Sequence, residues 1–217
     1  MTDRLTADEA KNMLLYVAER IMEAKEYLTE IDNAAGDGDH GIGMAAGMKK
    51  AADALSRKTY ADVYQVFKDA GNAMMMSMGG ASGIIFGSLF GGGASDKSSA
   101  ESLTPEEFAD MMQRSLYAIQ KRGKAQPGDK TMVDALSPAA EAMEETAAAG
   151  FPFMLKAAAQ AAREGMEKTK QMVARYGRAK SLMERSIGCQ DAGATSVYLI
   201  FRAMSEFAEK SGKGAAK

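Results

Sequence analysis

The sequence predicts an all-α fold that forms a single domain over residues 1–217. Runs in which Val, Ile and Thr alternate with polar residues are scarce, so a β-sheet has little to be built from. Several Thr-x-x-acid sequences, in contrast, match the capping box that opens a helix. No abrupt change in composition marks a domain boundary. We therefore expect about eight helices with short connections, an arrangement in which neighbouring helices run antiparallel.

The individual helices are predicted from these start signals and from the spacing of apolar residues. The first begins at Thr6, because Leu14, Val17 and Ile21 share one helical face after that cap. Pro152 suits the first turn of a late helix. The capping boxes are Thr6-x-x-Glu9, Thr59-x-x-Asp62, Thr104-x-x-Glu107 and Thr131-x-x-Asp134. The helices are expected near residues 6–31, 41–56, 60–77, 82–91, 104–121, 131–148, 152–175 and 193–210.

The charge balance and the cysteine content limit the partners and the location. Lys plus Arg number 27 against 29 Asp plus Glu, so no excess positive charge is available for a nucleic acid or an anionic membrane. No apolar run approaches membrane-spanning length, and the first residues lack the apolar stretch of a secretory signal. The single cysteine, Cys189, cannot form an internal disulfide. We therefore expect a cytoplasmic protein that binds neither nucleic acid nor membrane.

Four glycine-bearing loops interrupt the helical pattern, and each leads into a predicted helix. Backbone N–H groups at a helix start attract anions, and glycine lets a ligand approach the backbone closely. A phosphate group is therefore the expected ligand. The loops are AGDGDHG (35–41), GGASG (79–83), RGKAQPGDKT (122–131) and ERSIGCQDAGATS (184–196).

Three aspartates, Asp32, Asp37 and Asp39, lie in and beside the first of these loops, next to the single histidine, His40. Three carboxylates of about −3 charge would repel a nucleoside triphosphate of about −4 by several kcal/mol at contact distance. Cations must therefore lie between them. Mg²⁺ prefers oxygen ligands and is typically held by one or two carboxylates together with substrate phosphates. Two Mg²⁺ ions would nearly cancel the charge and would suit phosphoryl transfer.

Loops rich in glycine and aspartate also occur in other kinds of site, and in turns without any ligand. The pattern Gly36-x-Gly38-x-x-Gly41 matches a dinucleotide fingerprint, but a predicted helix precedes it where that fold requires a strand. No glutamate follows at the spacing of a calcium-binding EF-hand, and no P-loop motif is present. Aspartate and glycine are also ordinary turn and cap residues. His40 is either a local hydrogen-bonding residue or a nucleotide contact, and Arg178 is either a solvated charge or a phosphate ligand.

These motifs, taken in order, resemble the nucleotide-binding DhaL (DAK2-type) subunit of bacterial dihydroxyacetone kinases. The resemblance covers nearly the whole chain and rests on Asp32-x4-GDGDHG, GGASG with the following IIFG, RGKAQPGDKTM and GRAKSLMERSIGCQDAGATS. It implies an antiparallel barrel of eight helices with the nucleotide at one rim. It also implies that Asp32, Asp37 and Asp39 are the catalytic carboxylates, holding two Mg²⁺ ions that bridge the phosphates of ADP or ATP. The nucleotide contacts it implies are His40, Gly41, Ile42, Gly43, Ala81, Ser82, Gly123, Met132, Arg178, Asp191, Ala192 and Gly193.

The last motif departs from the family's commonest pattern, which often reads Gly-His-Gln-Asp-Pro-Gly. Cys189 and Ala192 stand here in place of the histidine and the proline. We expect these changes to alter the stiffness and packing of the loop rather than the metal chemistry, because the carboxylate set is intact.

The resemblance also implies partners. In these kinases the small ketose is bound by a separate DhaK subunit or domain through a histidine, whereas the single histidine here belongs to the nucleotide loop. A DhaK-type partner is therefore expected to bring the sugar. The phosphoryl donor is either a DhaM-type protein of the phosphoenolpyruvate-dependent phosphotransferase system, which rephosphorylates bound ADP, or exchanging ATP. Alternatives are an ATP-exchanging kinase subunit for dihydroxyacetone or erythrulose and a nucleotide-sensing regulatory protein. A homodimer is a further possible assembly.

Overall fold

The computed structural model describes residues 3–214, and helices dominate that part of the chain. It contains two strands of two residues each, β1 (Leu5–Thr6) and β2 (Ser102–Leu103). Short 3-10 segments occur at Ala147–Ala149, Thr169–Gln171 and Arg178–Ser186. The α-helices are α1 (Ala7–Glu23), α2 (Lys25–Asn33), α3 (His40–Ser56), α4 (Val63–Met78), α5 (Gly80–Gly91), α6 (Pro105–Gly123), α7 (Val133–Thr146), α8 (Phe151–Lys168) and α9 (Ala192–Gly214). The all-α prediction is confirmed.

Eight of the helices within residues 3–214 close into a ring. From α3 to α9 each helix packs against the next one along the chain, and both α3 and α9 pack against α1. The remaining helix, α2, packs on α3 and α9. Because most connections are short and consecutive helices lie side by side, neighbours run in opposite directions. The predicted antiparallel barrel is therefore confirmed.

Two capping boxes form as predicted, at the starts of α1 and α6. The hydroxyl of Thr6 accepts from the N–H of Glu9 at 3.2 Å, and the Glu9 carboxylate accepts from the N–H of Thr6 at 3.0 Å. Thr104 and Glu107 repeat the exchange at 3.2 and 2.8 Å. Each pair satisfies backbone donors that a helix start would otherwise leave without a partner.

The box predicted at Thr59 is wrong, because Asp62 caps α4 instead. The Asp62 carboxylate accepts from the N–H of Tyr64 at 3.0 Å and from the N–H of Ala100 at 3.2 Å. The N–H of Val63 in turn donates to the Ala100 carbonyl at 2.8 Å. The cap of α4 is therefore shared with the connection that precedes β2, and this partner is distant in sequence.

Two further predicted start signals act in the structure. The Asp134 carboxylate accepts from the N–H of Thr131 at 2.7 Å, and the Thr131 hydroxyl accepts from the N–H of Val133 at 3.2 Å. Pro152 lies in the first turn of α8, after Phe151. Proline is tolerated there because the first N–H groups of a helix need no partner within it.

The predicted first helix, 6–31, is wrong in one respect, since it divides at Ala24. Ala24 has φ −81° and ψ 5°, and its N–H still donates to the carbonyl of Arg20. The chain bends there, so that α2 buries Leu28 and packs on α3 instead of continuing along α1. This bend brings Asp32, in the last turn of α2, close to the start of α3.

The predicted helix 152–175 is also too long. Helix α8 ends at Lys168, and one 3-10 turn, Thr169–Gln171, follows it. Met172 is then extended, with φ −99° and ψ 152°. The chain leaves helical geometry there because the carbonyl and hydroxyl of Thr169 bond to other segments, Lys130 and Asp191 respectively.

The connections between the ring helices alternate between the two ends of the barrel. At one end β1 pairs with β2 in antiparallel register, with Leu5 opposite Leu103. That end also carries the connections 57–62, 92–104 and 147–150. The other end, called the site rim below, carries residues 34–39, 79, 124–132 and 169–191. All four glycine-bearing loops of the sequence therefore meet at one rim.

The core fills the interior of the barrel. Phe108 packs between Phe67 and Phe151, with ring centroids 5.7 and 5.9 Å apart, and all three are fully buried. Within residues 3–214, no helix combines the length and the apolarity needed to cross a membrane. The rings of Phe108 and Phe151 lie in the first turns of α6 and α8, which begin at the end of the barrel opposite the site rim.

Candidate functional site

The four connections of the site rim enclose one cavity of about 860 Å³. Almost every site residue predicted from the sequence lines it. These are Asp32, Asp37, Asp39, His40, Ile42, Gly43, Ala81, Ser82, Gly123, Met132, Arg178, Asp191, Ala192 and Gly193. Gly41 is the exception, since it is buried against α2, where an added Cβ would collide with the Lys25 carbonyl and the Thr29 side chain. Its role is therefore to let α3 approach α2 closely.

The three aspartates converge at the mouth of this cavity. One carboxylate oxygen from each of Asp32, Asp37 and Asp39 lies within 4.8 Å of the others. The Asp32 carboxylate also accepts from the N–H of His40 at 3.2 Å, which ties the end of α2 to the start of α3. An added Cβ at Gly36 would collide with that carboxylate. Glycine is therefore required there for the chain to fold back over Asp32.

The electrostatics of the cluster favour a cation. Burial raises the pKa of Asp39, and the neighbouring charges of Asp37 and Asp32 raise it further. Arg178 opposes this effect, and its Nε lies 2.9 Å from Oδ2 of Asp37. One guanidinium cannot balance three carboxylates. Closely spaced oxygen donors with excess negative charge suit a hard divalent ion such as Mg²⁺.

His40 stands between the carboxylates and α9. Its Nε2 lies 2.8 Å from the hydroxyl of Ser196, and its ring packs 5.7 Å from that of Phe86. Burial lowers the pKa of His40, although the charge of Asp32 acts in the opposite direction. The imidazole is therefore neutral near pH 7 and held in one orientation. The local hydrogen bond that the sequence left open is present, and the ring also lines the cavity.

Four helix starts face the site rim, those of α3, α5, α7 and α9, because each begins where a rim connection ends. Exposed N–H groups and the helix dipole make such starts attractive to anions. At the start of α9 the Asp191 carboxylate accepts from the N–H of Ala194 at 2.7 Å. Away from the carboxylates, apolar side chains that include Ile85, Phe86 and Ile119 line the cavity. The cavity thus offers an anion-binding side and an apolar side.

Lys130 is the main lining residue that the sequence did not single out. It is 1% exposed, and its Nζ donates to the carbonyls of Thr169 and Cys189, each at 2.6 Å. Lysines are rarely buried, so the residue type gave no signal. Its place in the glycine-bearing loop PGDKT was the only indication available.

The chain is similar to known proteins over most of its length. The sequence model of the DAK2 domain family matches residues 34–206 of this chain. The ADP-binding subunit DhaL of the PEP-dependent dihydroxyacetone kinase of Escherichia coli (strain K12) is 36% identical over 203 residues, which are 93% of this chain and 97% of that protein. The L-erythrulose 1-kinase of Mycolicibacterium smegmatis is 37% identical over 82% of this chain, which spans only 32% of that enzyme.

A similar fold occurs among solved structures. The crystal structure of the dihydroxyacetone kinase from C. freundii in complex with AMP-PNP and Mg²⁺ superposes with a TM-score of 0.69 at 24% identity. The match covers 91% of this chain and 33% of that chain. At this identity the likeness establishes the shared fold.

Proposed function

The chain belongs to the DAK2 domain family, and from that premise we propose that it is the ADP/ATP- and Mg²⁺-binding subunit of a dihydroxyacetone kinase. In this proposal it transfers a phosphoryl group to a short ketose held by a DhaK-type partner. The observation that carries it is the meeting of three carboxylates and four helix starts at one cavity. We further propose that residues 1–217 act as one domain, since a single ring of helices supplies all four connections of the site.

The carboxylate cluster fits two Mg²⁺ ions, which Asp32, Asp37 and Asp39 would hold together with the phosphates of the nucleotide. The ions would neutralise the charge that develops on the phosphoryl group during its transfer. Gly36 and the N–H of His40 keep Asp32 turned toward the other two aspartates. The chain thus supplies a set of oxygen ligands that is already brought together before the ions bind.

The remaining site residues bind the nucleotide in this proposal. Helix starts at the rim donate N–H groups to phosphate oxygens, through Ile42, through Ala81 and Ser82, and through Ala192 and Gly193. Gly43, whose N–H already donates to the Asp39 carbonyl at 2.9 Å, lines the cavity and leaves room for the nucleotide. Gly123 and Met132 belong to the apolar side, which suits an adenine ring. Arg178 already lies on the phosphate side, where its side chain is 74% exposed and its guanidinium can turn from Asp37 to a phosphate.

We propose that ADP remains bound and is rephosphorylated in place by a DhaM-type protein of the phosphotransferase system. The support is the similarity to the PEP-dependent DhaL subunit of Escherichia coli over 93% of this chain. Exchange of free ATP is the second candidate, and the 37% identity to an erythrulose kinase favours it. One measurement distinguishes retained ADP from exchanging ATP. Heat denaturation of freshly purified protein should release a stoichiometric amount of ADP if the nucleotide is a retained cofactor, and little if it exchanges.

The test of the carboxylate site is the variant Asp37→Ala. In a reconstituted assay with a DhaK-type partner, a ketose and a phosphoryl donor, we expect transfer to be abolished while helicity measured by circular dichroism is unchanged. Asp53→Ala is a matched control, because Asp53 is also paired with a cation, to Lys49, and its side chain is 41% exposed against 40% for Asp37. Asp53 lies on α3 away from the cavity lining, so this variant should transfer normally.

Full transfer by Asp37→Ala would refute the proposed metal role. If the unmodified protein instead binds nucleotide tightly but no DhaK-type partner supports transfer to any ketose, a nucleotide-sensing role replaces the enzymatic one.

A further inference from the structure

Lys130 is a buried cation whose bonds join two parts of the site rim. Its side chain is among the largest fully buried ones in residues 3–214. Burying an ammonium group is costly unless its donors are satisfied. Here they reach the carbonyls of Thr169 and Cys189. Burial lowers the pKa of Lys130, and the nearby charges of Asp191 and Asp134 act in the opposite direction. The two hydrogen bonds of the ammonium group therefore join the chain near the two ends of one rim connection.

The two carbonyls flank one segment, residues 170–188, whose ends meet over the ammonium group. At its base the N–H of Gly188 donates to the carbonyl of Lys170 at 2.7 Å, and the N–H of Asp191 donates to the hydroxyl of Thr169 at 3.0 Å. The segment contains the 3-10 stretch Arg178–Ser186, and Arg178 within it reaches Asp37. Segment 170–188 is therefore a loop that hydrogen bonds close at its base, and the Lys130 ammonium group lies next to that base.

The rim connection 124–132, which carries Lys130, also bonds to segment 170–188 at residues away from its base. The N–H of Arg175 donates to the carbonyl of Asp129 at 3.1 Å, and the hydroxyl of Tyr176 donates to the carbonyl of Lys124 at 3.3 Å. Arg175, Tyr176 and Lys124 are exposed and Asp129 is half-buried, so water competes for these bonds. The Lys130 bonds are better shielded, since the bond to Thr169 is buried and the bond to Cys189 is partly buried.

We propose that Lys130 is a positioning residue of the nucleotide site, because its ammonium group fixes both ends of segment 170–188. It holds Arg178 at the carboxylate cluster and aligns the start of α9 with the cavity. The effect on nucleotide rests on the proposed function, whereas the anchoring of the segment does not. The two parts therefore need separate measurements.

Limited digestion with trypsin, without nucleotide, tests the anchoring. The segment contains five trypsin sites, Lys170, Arg175, Arg178, Lys180 and Arg185. In Lys130→Met, which keeps the length of the side chain and removes its donors, we expect cleavage there to be about tenfold faster, because cleavage follows the population of the opened segment. Mass spectrometry identifies the sites. Calorimetry should show a several-fold weaker affinity for ADP with Mg²⁺ than in the unmodified protein.

Lys97→Met is the matched control. The Lys97 ammonium group is bonded to Asp110 at 2.5 Å and joins the connection 92–104 to α6, at the end of the barrel opposite the site rim. This variant should show neither faster cleavage in segment 170–188 nor weaker ADP binding, and at most a small loss of stability, because Asp110 keeps its ion pair with Arg114. Equal cleavage of the segment in Lys130→Met and in the unmodified protein, beside a lowered melting temperature, would overturn the proposal. Faster cleavage with unchanged ADP affinity would show that Lys130 anchors segment 170–188, and it would refute the proposed effect of Lys130 on nucleotide binding.

A measurement on the unmodified protein keeps the proposal testable if Lys130→Met does not fold. Hydrogen exchange should protect the N–H groups of Gly188 and Asp191 as strongly as those of α8, and protect residues 178–186 less. If base and tip of the segment exchange at the same fast rate, Lys130 does not anchor it.

Discussion

Asp191 lies where the chain enters α9, and its carboxyl group is withdrawn from water. That burial raises its pKa to about 7, against an ordinary value of 3.8. The N–H of Ala194 favours the charged form, whereas the nearby charge of Asp134 disfavours it. Folding therefore favours the protonated acid over the pH range between these two values. The residue that caps α9 thereby makes the stability of the protein depend on pH near neutrality.

The first prediction concerns this carboxyl group. Because its pKa is higher in the folded than in the unfolded chain, the folded protein binds more protons between about pH 4 and 7, and stability falls as the pH rises through that range. Asp191→Asn keeps the acceptor for Ala194 and removes the titration. We expect the unmodified protein to lose about 1–4 kcal/mol relative to this variant between pH 4.5 and 8, measured by urea unfolding at each pH.

The difference between the two proteins isolates Asp191 from all other titrating groups. A difference in unfolding free energy that stays constant with pH would show that Asp191 titrates normally. A difference that grows in favour of the unmodified protein as the pH rises would mean that folding favours the charged carboxylate instead.

The residues that the sequence identified are those whose function depends on neighbours close along the chain. Asp32, Asp37 and Asp39 fall within eight positions, so their meeting required only a tight glycine-bearing turn. Contacts between distant positions gave no such signal. His40 meets Ser196 across the molecule, and Lys130 meets Cys189 from another rim connection. Such pairs depend on how the ring of helices closes.

At the scale of the helix, the caps at the end opposite the site rim contribute stability without touching the cavity. The Thr104 box opens α6 directly after β2, and the Thr6 box opens α1 directly after β1. The strands pair, so the two caps lie next to each other at that end. Their backbone donors would otherwise be unsatisfied at the start of two long helices.

The second prediction follows for Thr104→Ala. Loss of a side-chain cap costs about 1 kcal/mol, which lowers the melting temperature of a chain of this size by roughly 2–4 °C. We expect that shift in a calorimetric scan and an unchanged affinity for ADP with Mg²⁺. Thr104→Ser retains the hydroxyl acceptor and should melt close to the unmodified protein. Weaker ADP binding in the alanine variant would show that the two ends of the barrel are coupled.

Helix boundaries were predicted correctly where a signal within a few residues sets them. They were predicted wrongly where contacts between distant parts of the chain set them. The boxes at Thr6 and Thr104 are complete within four residues, and both form. The break at Ala24 has no Gly or Pro to announce it, because packing of α2 on α3 decides it. Asp62 replaces Thr59 as the cap of α4 because Ala100 shares its carboxylate. A sequence pattern cannot show such a partner 38 residues away.

At the scale of the whole molecule, the connections between helices alternate between the two ends of the barrel. One end therefore carries the ligand site, and the other carries the paired strands and the two capping boxes. Caps and spacing predicted eight helices, and the structure has nine within the described residues because the first one divides into α1 and α2. Closure of α9 onto α1 left no trace in composition or periodicity, and only the family resemblance implied it. Closure is what brings residue 191 beside residue 32. Because the site is assembled from four connections that meet only in the folded barrel, ligand binding and global stability are linked.

The third prediction uses this linkage. A ligand that binds only the folded barrel at about a hundred times its Kd adds about 2.7 kcal/mol, which raises the melting temperature by roughly 5–10 °C for a chain of this size. We expect this rise for nucleotide-free protein given ADP with Mg²⁺, and a much smaller one for ADP with EDTA, because the aspartates then repel the phosphates. Differential scanning calorimetry measures both. Asp37→Ala should lose the magnesium-dependent part, whereas Asp53→Ala should keep it. An equal rise with and without Mg²⁺ would mean that the nucleotide binds away from the carboxylate cluster.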